Sequence, residues 1–184
     1  MGARVRPSQV IVPVLLAAVI ALAALSYFAT RANIMVGPQF AVPGATKSGD
    51  AFTVTWRTGT EIAVVASFEP SRAVRVRAVT LDGLDPKDAF VASSEYGFWD
   101  GRTPLPSFTS EADPLPPAFD PRPFRGAFLT PAHSRVFVRL IVQAISDAKA
   151  IEVITGLRVD AESWGWAHTT LIPFQQPIKL EKPR

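Results

Sequence analysis

Hydrophobic and polar positions alternate in three different ways along this chain, and each way marks a different kind of element. From Val10 to Ala29 there is no alternation: VIVPVLLAAVIALAALSYFA carries no charge over about twenty residues. At about 1.5 Å rise per residue, such a helix covers roughly 30 Å, the thickness of a bilayer's hydrocarbon core. An apolar run on every side of a helix argues against a helix that packs one face on a soluble core. The run therefore predicts a single N-terminal transmembrane helix, with Pro13 in its first turn, where a missing N–H costs least, and Tyr27 at the interface.

Beyond Asp50 the period changes to two. Phe52, Val54 and Trp56 alternate with Thr53 and Thr55, and Ile62, Val64, Ala66 and Phe68 share a side of the next run. Val74, Val76 and Ala78 then alternate with Arg75 and Arg77. Apolar on one side and charged on the other is the pattern of antiparallel strands with one wet face. Three such strands (51–57, 61–68 and 72–80), joined by short turns, read as a meander. The pattern returns in Val136, Val138, Leu140 and Val142, in Ile151, Val153, Leu157 and Val159, and in a last strand over Trp164–Ile172 that Pro173 and Pro177 bring to an end.

Between these regular regions the pattern dissolves. Residues 82–131 carry Pro104, Pro106, Pro114, Pro116, Pro117, Pro121, Pro123 and Pro131 together with Phe90, Tyr96, Phe98, Trp99, Phe108, Phe119, Phe124 and Phe128. Proline removes ladder donors, while the aromatics supply apolar area to bury. The expectation is an ordered loop packed across the sheet, with a short strand near 124–129.

About seven short strands and no further 3.6-residue period give an all-β fold: an immunoglobulin-like antiparallel β-sandwich behind one transmembrane helix. The division is a cytoplasmic N-terminus at 1–9, the helix at 10–29, a linker at 30–50 with a short first strand expected at Phe40 and Val42, and an extracytoplasmic domain at 51–184. FTVTWRTGTEIAVVASFEPSRAVRVRAV, PRPFRGAFLTPAHSRVFVRLIV and the closing TTLIPFQQPIKL carry a resemblance. In their order and spacing the chain resembles the uncharacterised membrane-anchored, immunoglobulin-like extracytoplasmic proteins of high-GC Gram-positive bacteria. The resemblance implies a fold and a location, and it transfers no catalytic residue. FEPSRAV departs from it, standing where such domains often place an Asn-Gly type of turn.

Charge sets the orientation. Arg4 and Arg6 precede the span and Arg31 alone follows it before Lys47, so the positive-inside bias puts the N-terminus in the cytoplasm and the domain outside the plasma membrane. The main rival is a cleaved signal peptide, but its apolar core would be shorter, and the best cleavage candidate, Ala24-Leu25-Ser26, lies inside the run. The formal net charge of +3 also reads differently once the topology is set. Without Arg4 and Arg6 the chain carries 17 basic against 16 acidic residues, with no basic run, so no nucleic-acid partner is expected. The lipid around the helix and another cell-envelope protein are the expected partners.

Candidate chemistry is sparse. There are no cysteines and only two histidines, His133 and His168, which excludes disulfides, thiolate metal sites and a structural metal site of the usual kind. Asp82, Asp85 and Asp88 in DGLDPKD do not follow calcium-loop spacing and read as a solvated turn. Ser134 beside His133 is not a nucleophile and its base, since neighbours along a strand point to opposite faces. No catalytic, cofactor or metal residue is named, and the chain is not expected to be an enzyme. The candidate interaction residues are aromatic. Phe98, Trp99 and Phe108 lie in the proline-rich loop, where rigid rings offer contact area at low entropic cost. Trp164 and Trp166 alternate with His168 along ESWGWAH and should share one face, read as core in preference to an exposed ligand-stacking face. The functional expectation is a non-catalytic accessory or protein-interaction subunit, the alternative being a cell-wall glycan module that uses the aromatic loop.

Overall fold

The computed structural model describes residues 7–105, 108, 113–147 and 152–181. One helix, α1 (Pro7–Thr30), leads into β1 (Ile34–Ala41), β2 (Thr46–Ser48), β3 (Ala51–Thr55), β4 (Glu61–Pro70), β5 (Val74–Asp82), β6 (Ala89–Phe98), β7 (Arg122–Pro123), β8 (Phe128–Thr130), β9 (Val136–Ala144), β10 (Glu152–Ser163) and β11 (Trp166–Glu181). A 3-10 turn, Pro117–Phe119, lies between β6 and β7.

α1 runs 24 residues. It starts at Pro7, so Pro13 lies almost two turns in and not in the first turn, where its ring removes one helical hydrogen bond. The side chains described, 12–28, are all exposed apart from half-buried Tyr27. Among the described residues no helix is long and apolar enough to cross a membrane; the backbone of α1 extends beyond those side chains at both ends.

The strands form two sheets, in the orders β1-β4-β9-β6-β7 and β2-β3-β11-β10-β5-β8. Every neighbouring pair is antiparallel except β3 and β11, which run parallel from Phe52↔Ile178 to Thr55↔Glu181. One apolar core joins them. Val64, Phe68, Val138 and Leu140 enter from the first sheet, and Val76, Leu157, Val159 and Leu180 enter from the second. All but Leu180 are residues of the period-two pattern.

Connectivity departs from the expected meander. β3, β4 and β5 alternate between sheets, because the turns at Thr58–Thr60 and Ser71–Ala73 carry the chain across the core and not into hairpins. Residues 30–50 are likewise not a spacer: β1 begins at Ile34, four residues past the last residue of α1, and pairs with β4 from Ile34↔Pro70 to Ala41↔Val65. Ala32, Ile34 and Val42 are core residues. Gly37-Pro38 breaks the alternation here, and the close approach explains the glycine, since a Cβ at Gly37 would stand 2.1 Å from Ser67 Oγ.

The proline-rich region also contains more sheet than expected. β6 pairs along most of β9, from Ala89↔Ala144 to Phe98↔Val136. The chain then passes over the outer face of the first sheet, where Leu115 and Phe119 cover Val65 and Phe137. It returns through β7 and crosses to β8 on the second sheet. Where it crosses, Tyr96 stacks on Phe128 at 3.8 Å between centroids, with Phe98 and Phe124 edge-on to the same ring. β11 continues past Pro173 and Pro177: Ile154 pairs with Ile178 and Gly156 with Pro173, so Phe174–Pro177 bulge out opposite Thr155. The bulge turns Phe174 onto Phe40 of β1, with ring centroids 4.2 Å apart.

Candidate interaction surface

The five aromatic candidates do not gather into one site. Phe98 packs against the core between the sheets, beside Tyr96 and Phe128. Trp99 and Phe108 pack on the opposite face of the first sheet, against the cluster of Val65, Leu115, Phe119 and Phe137. Strand alternation dictates the split between Phe98 and Trp99. The loop that follows is closed by its own hydrogen bonds. Asp100 Oδ1 accepts from the backbone N–H groups of Arg102 (2.9 Å) and Thr103 (2.8 Å), and Trp99 Nε1 donates to the Thr103 carbonyl at 2.7 Å. These donors hold the exposed Asp100 carboxyl below its ordinary pKa, the Thr103 N–H contributing most and the Arg102 N–H next. The Arg135 guanidinium lies 4.5 Å from the centroid of the Trp99 ring.

Neither Trp164 nor Trp166 takes the core position expected of it, and only Trp166 lies in a strand, as the first residue of β11. Ser163 pairs directly with Trp166, leaving Trp164-Gly165 as a two-residue turn between β10 and β11. Both turn residues have positive φ, 53° at Trp164 and 80° at Gly165. That is the geometry of a type I′ hairpin, which usually takes Asn-Gly or Gly-Gly. Trp164 is therefore lifted off the strand and is 80% exposed, while Trp166 is 41% exposed. Only His168 of the three is buried. Burial holds its imidazole below the ordinary histidine pKa, and the Arg31 charge acts in the same direction.

Two open depressions flank Trp164. One, of about 530 Å³, is lined by Val74, Arg75, Leu129, Thr130 and Glu162, with Leu129 itself 75% exposed. The other, of about 600 Å³, is lined by Ser71, Arg72, Ala73 and Ala132. On the far side of the turn, the Trp166 ring meets Tyr27 of α1 edge-on, 5.7 Å between centroids. Sequence alternation could not reveal this surface, because it begins the last strand at Trp164 and runs it straight through Gly165. The signal that was available is a Gly following Trp164 midway between two apolar runs.

The polar candidates are dispersed. Asp82 accepts from Thr155 Oγ1 (3.0 Å) and pairs with Arg158 (3.3 Å), Asp85 accepts from the Lys87 N–H (2.9 Å), and Asp88 accepts from the Ser146 hydroxyl. The His133 imidazole stands 3.8 Å from Glu69. Among the described residues, no three His, Asp or Glu side chains stand where they could share a metal ion. No protein-family model matches the chain, and no curated protein is significantly similar to it.

Proposed function

We propose that the protein is a non-catalytic, single-pass membrane protein whose extracytoplasmic, immunoglobulin-like domain acts as an accessory or interaction subunit of the cell envelope. The observation that carries this reading is α1: a charge-free helix whose side chains from Val12 to Ser26 are all exposed, ending directly in a two-sheet domain. Isolated in water such a surface would be unstable, and a hydrocarbon environment accounts for it. Arg4 and Arg6 favour a cytoplasmic N-terminus.

Strand order supports the immunoglobulin-like assignment. β1-β4-β9-β6 follows the A-B-E-D order and β5-β10-β11 the C-F-G order of that sandwich. Of the four further strands, β7 and β8 end their sheets while β2 and β3 extend the second sheet beyond β11, and the cysteine pair of antibody domains is replaced by apolar packing alone. The glycan alternative is weakened by Trp99, whose ring lies against Arg135 and the outer cluster and whose N–H is engaged by Thr103.

Cross-linking of the tagged full-length protein in its own membranes, followed by mass spectrometry, tests the reading. Recovery of one membrane protein in near-stoichiometric amount supports an accessory subunit. Recovery of nothing above background, with glycan fragments shifting Trp fluorescence in the purified protein, would replace it with the ligand-binding reading.

A further inference from the structure

We infer that the β10–β11 turn is a second membrane contact, seating Trp164 in the boundary between headgroups and acyl chains of the bilayer that α1 crosses. The inference rests on the membrane reading of α1 and adds to it a fixed posture for the domain.

Three turns meet at the end of the domain where α1 enters. Ser71 N donates to the Asn33 carbonyl (2.7 Å), Asn33 N donates to Ser71 Oγ (3.0 Å), and His133 N donates to the Pro70 carbonyl (2.8 Å). These bonds place the β4–β5 and β8–β9 turns beside the residues that follow the helix. The Tyr27–Trp166 ring contact places the β10–β11 turn there too. Tyr27 lies three residues before the end of α1, or about 4.5 Å along its axis. With the span centred on the hydrocarbon core, Tyr27 stands at its boundary, and the ring touching it stands at the same depth.

The side chains at this end suit that depth. Tryptophan concentrates at membrane interfaces because its ring is apolar and its N–H is polar. Among the described residues of the two-sheet domain, Trp164 and Leu129 are the most exposed large apolar side chains, and both line the same depression. Arg31, Arg72 and Arg75 are exposed around them, as cations that anionic headgroups attract. Glu162, the acidic residue lining the depression, is paired with Arg77. The backbone adds an independent argument. A left-handed conformation disfavours a bulky side chain, and at 80% exposure no packing within the domain compensates for it. Lipid contact supplies the missing compensation.

The test uses full-length protein reconstituted in vesicles of phosphatidylcholine and phosphatidylglycerol, with bromine on the acyl carbons nearest the glycerol. Bromine quenches tryptophan only on close approach, and Trp56 is fully buried in the protein core. Quenching of the wild type is expected, reduced by about half in W164F because two tryptophans stand at the boundary, and unchanged in W99F. Equal quenching in wild type and W164F, in protein that alkaline carbonate does not extract, overturns the contact and leaves the anchor standing. Extraction by carbonate overturns the anchor and the contact together. Trp164 shielded from both bromine and aqueous acrylamide would assign the turn to a protein partner, which also overturns the lipid contact.

Discussion

Phe119 lies against Phe137 with ring centroids 4.7 Å apart, on the face of the first sheet turned away from the shared core. This contact explains why β4 and β9 are apolar on both faces: Val64 and Val138 enter the main core, while Val65 and Phe137 meet the segment that crosses behind. Proline fixes the geometry. Pro116 and Pro117 start the 3-10 turn that presents Phe119, and Asp120 ends it in a left-handed conformation.

Replacing Phe119 by Ala should therefore cost about 3–5 kcal/mol, as for any fully buried Phe. The outer cluster should loosen before the main core does. Denaturant unfolding measures the loss, and larger side-chain NMR shift changes at the Val65 methyls and Phe137 ring than at the Val64 methyls locate it. Equal changes on the two faces would show that the outer cluster does not loosen on its own.

Replacing Trp164 by Asn should stabilise the detergent-solubilised protein by about 1 kcal/mol, because Asn tolerates the left-handed conformation and no buried contact is lost. Thermal unfolding reads the change. A fall in stability would mean that the indole packs on the domain.

Acid should weaken the fold through His168. Its folded pKa lies below the unfolded value of 6.5, so the unfolded chain binds the proton more readily. The stability contributed by neutral His168 is intact above about 6.5 and declines as pH falls toward the folded pKa. His168→Phe keeps a ring in the buried position and should flatten this part of the stability profile. An unchanged profile would assign the acid sensitivity to carboxylates.

Asp100 shows the opposite dependence in its source and the same direction in pH. Hydrogen bonds from Thr103 and Arg102 stabilise its charged form, so their contribution is present above the ordinary carboxyl pKa of 3.8 and is lost as pH falls through the lower folded value. Asp100→Ala should free the turn that holds Trp99 Nε1, seen as a red shift of Trp99 emission with little change in global unfolding. An unshifted spectrum would mean that Arg135 and the outer cluster alone hold the ring.

Much of the sheet content was legible because burial on one face writes a period of two into the sequence. β3, β4, β5, β9 and β10 all carry it. β6 does not: Ser93, Ser94 and Glu95 interrupt AFVASSEYGF, and the strand is held mainly by its ladder with β9. Of β1 only the end at Phe40 was legible, because Gly37-Pro38 breaks the alternation before it. Pairing order was not legible at all, since a three-residue turn such as Ser71–Ala73 looks the same whether it closes a hairpin or crosses between sheets. The placement of the aromatic candidates was hidden for a related reason. Alternation assigns faces only while the chain remains extended, and at Trp164 it reverses.

The short join between α1 and β1 sets a radius of action. A flexible tether lets a domain sweep a volume of solvent, but only Arg31, Ala32 and Asn33 separate helix from strand here, and Ala32 is itself buried. β4 rises about 33 Å over its ten residues, so the far turn at Thr58–Thr60 stands only a few nanometres above a bilayer spanned by α1. On the proposed membrane reading of α1, whatever this domain binds must be met within that layer.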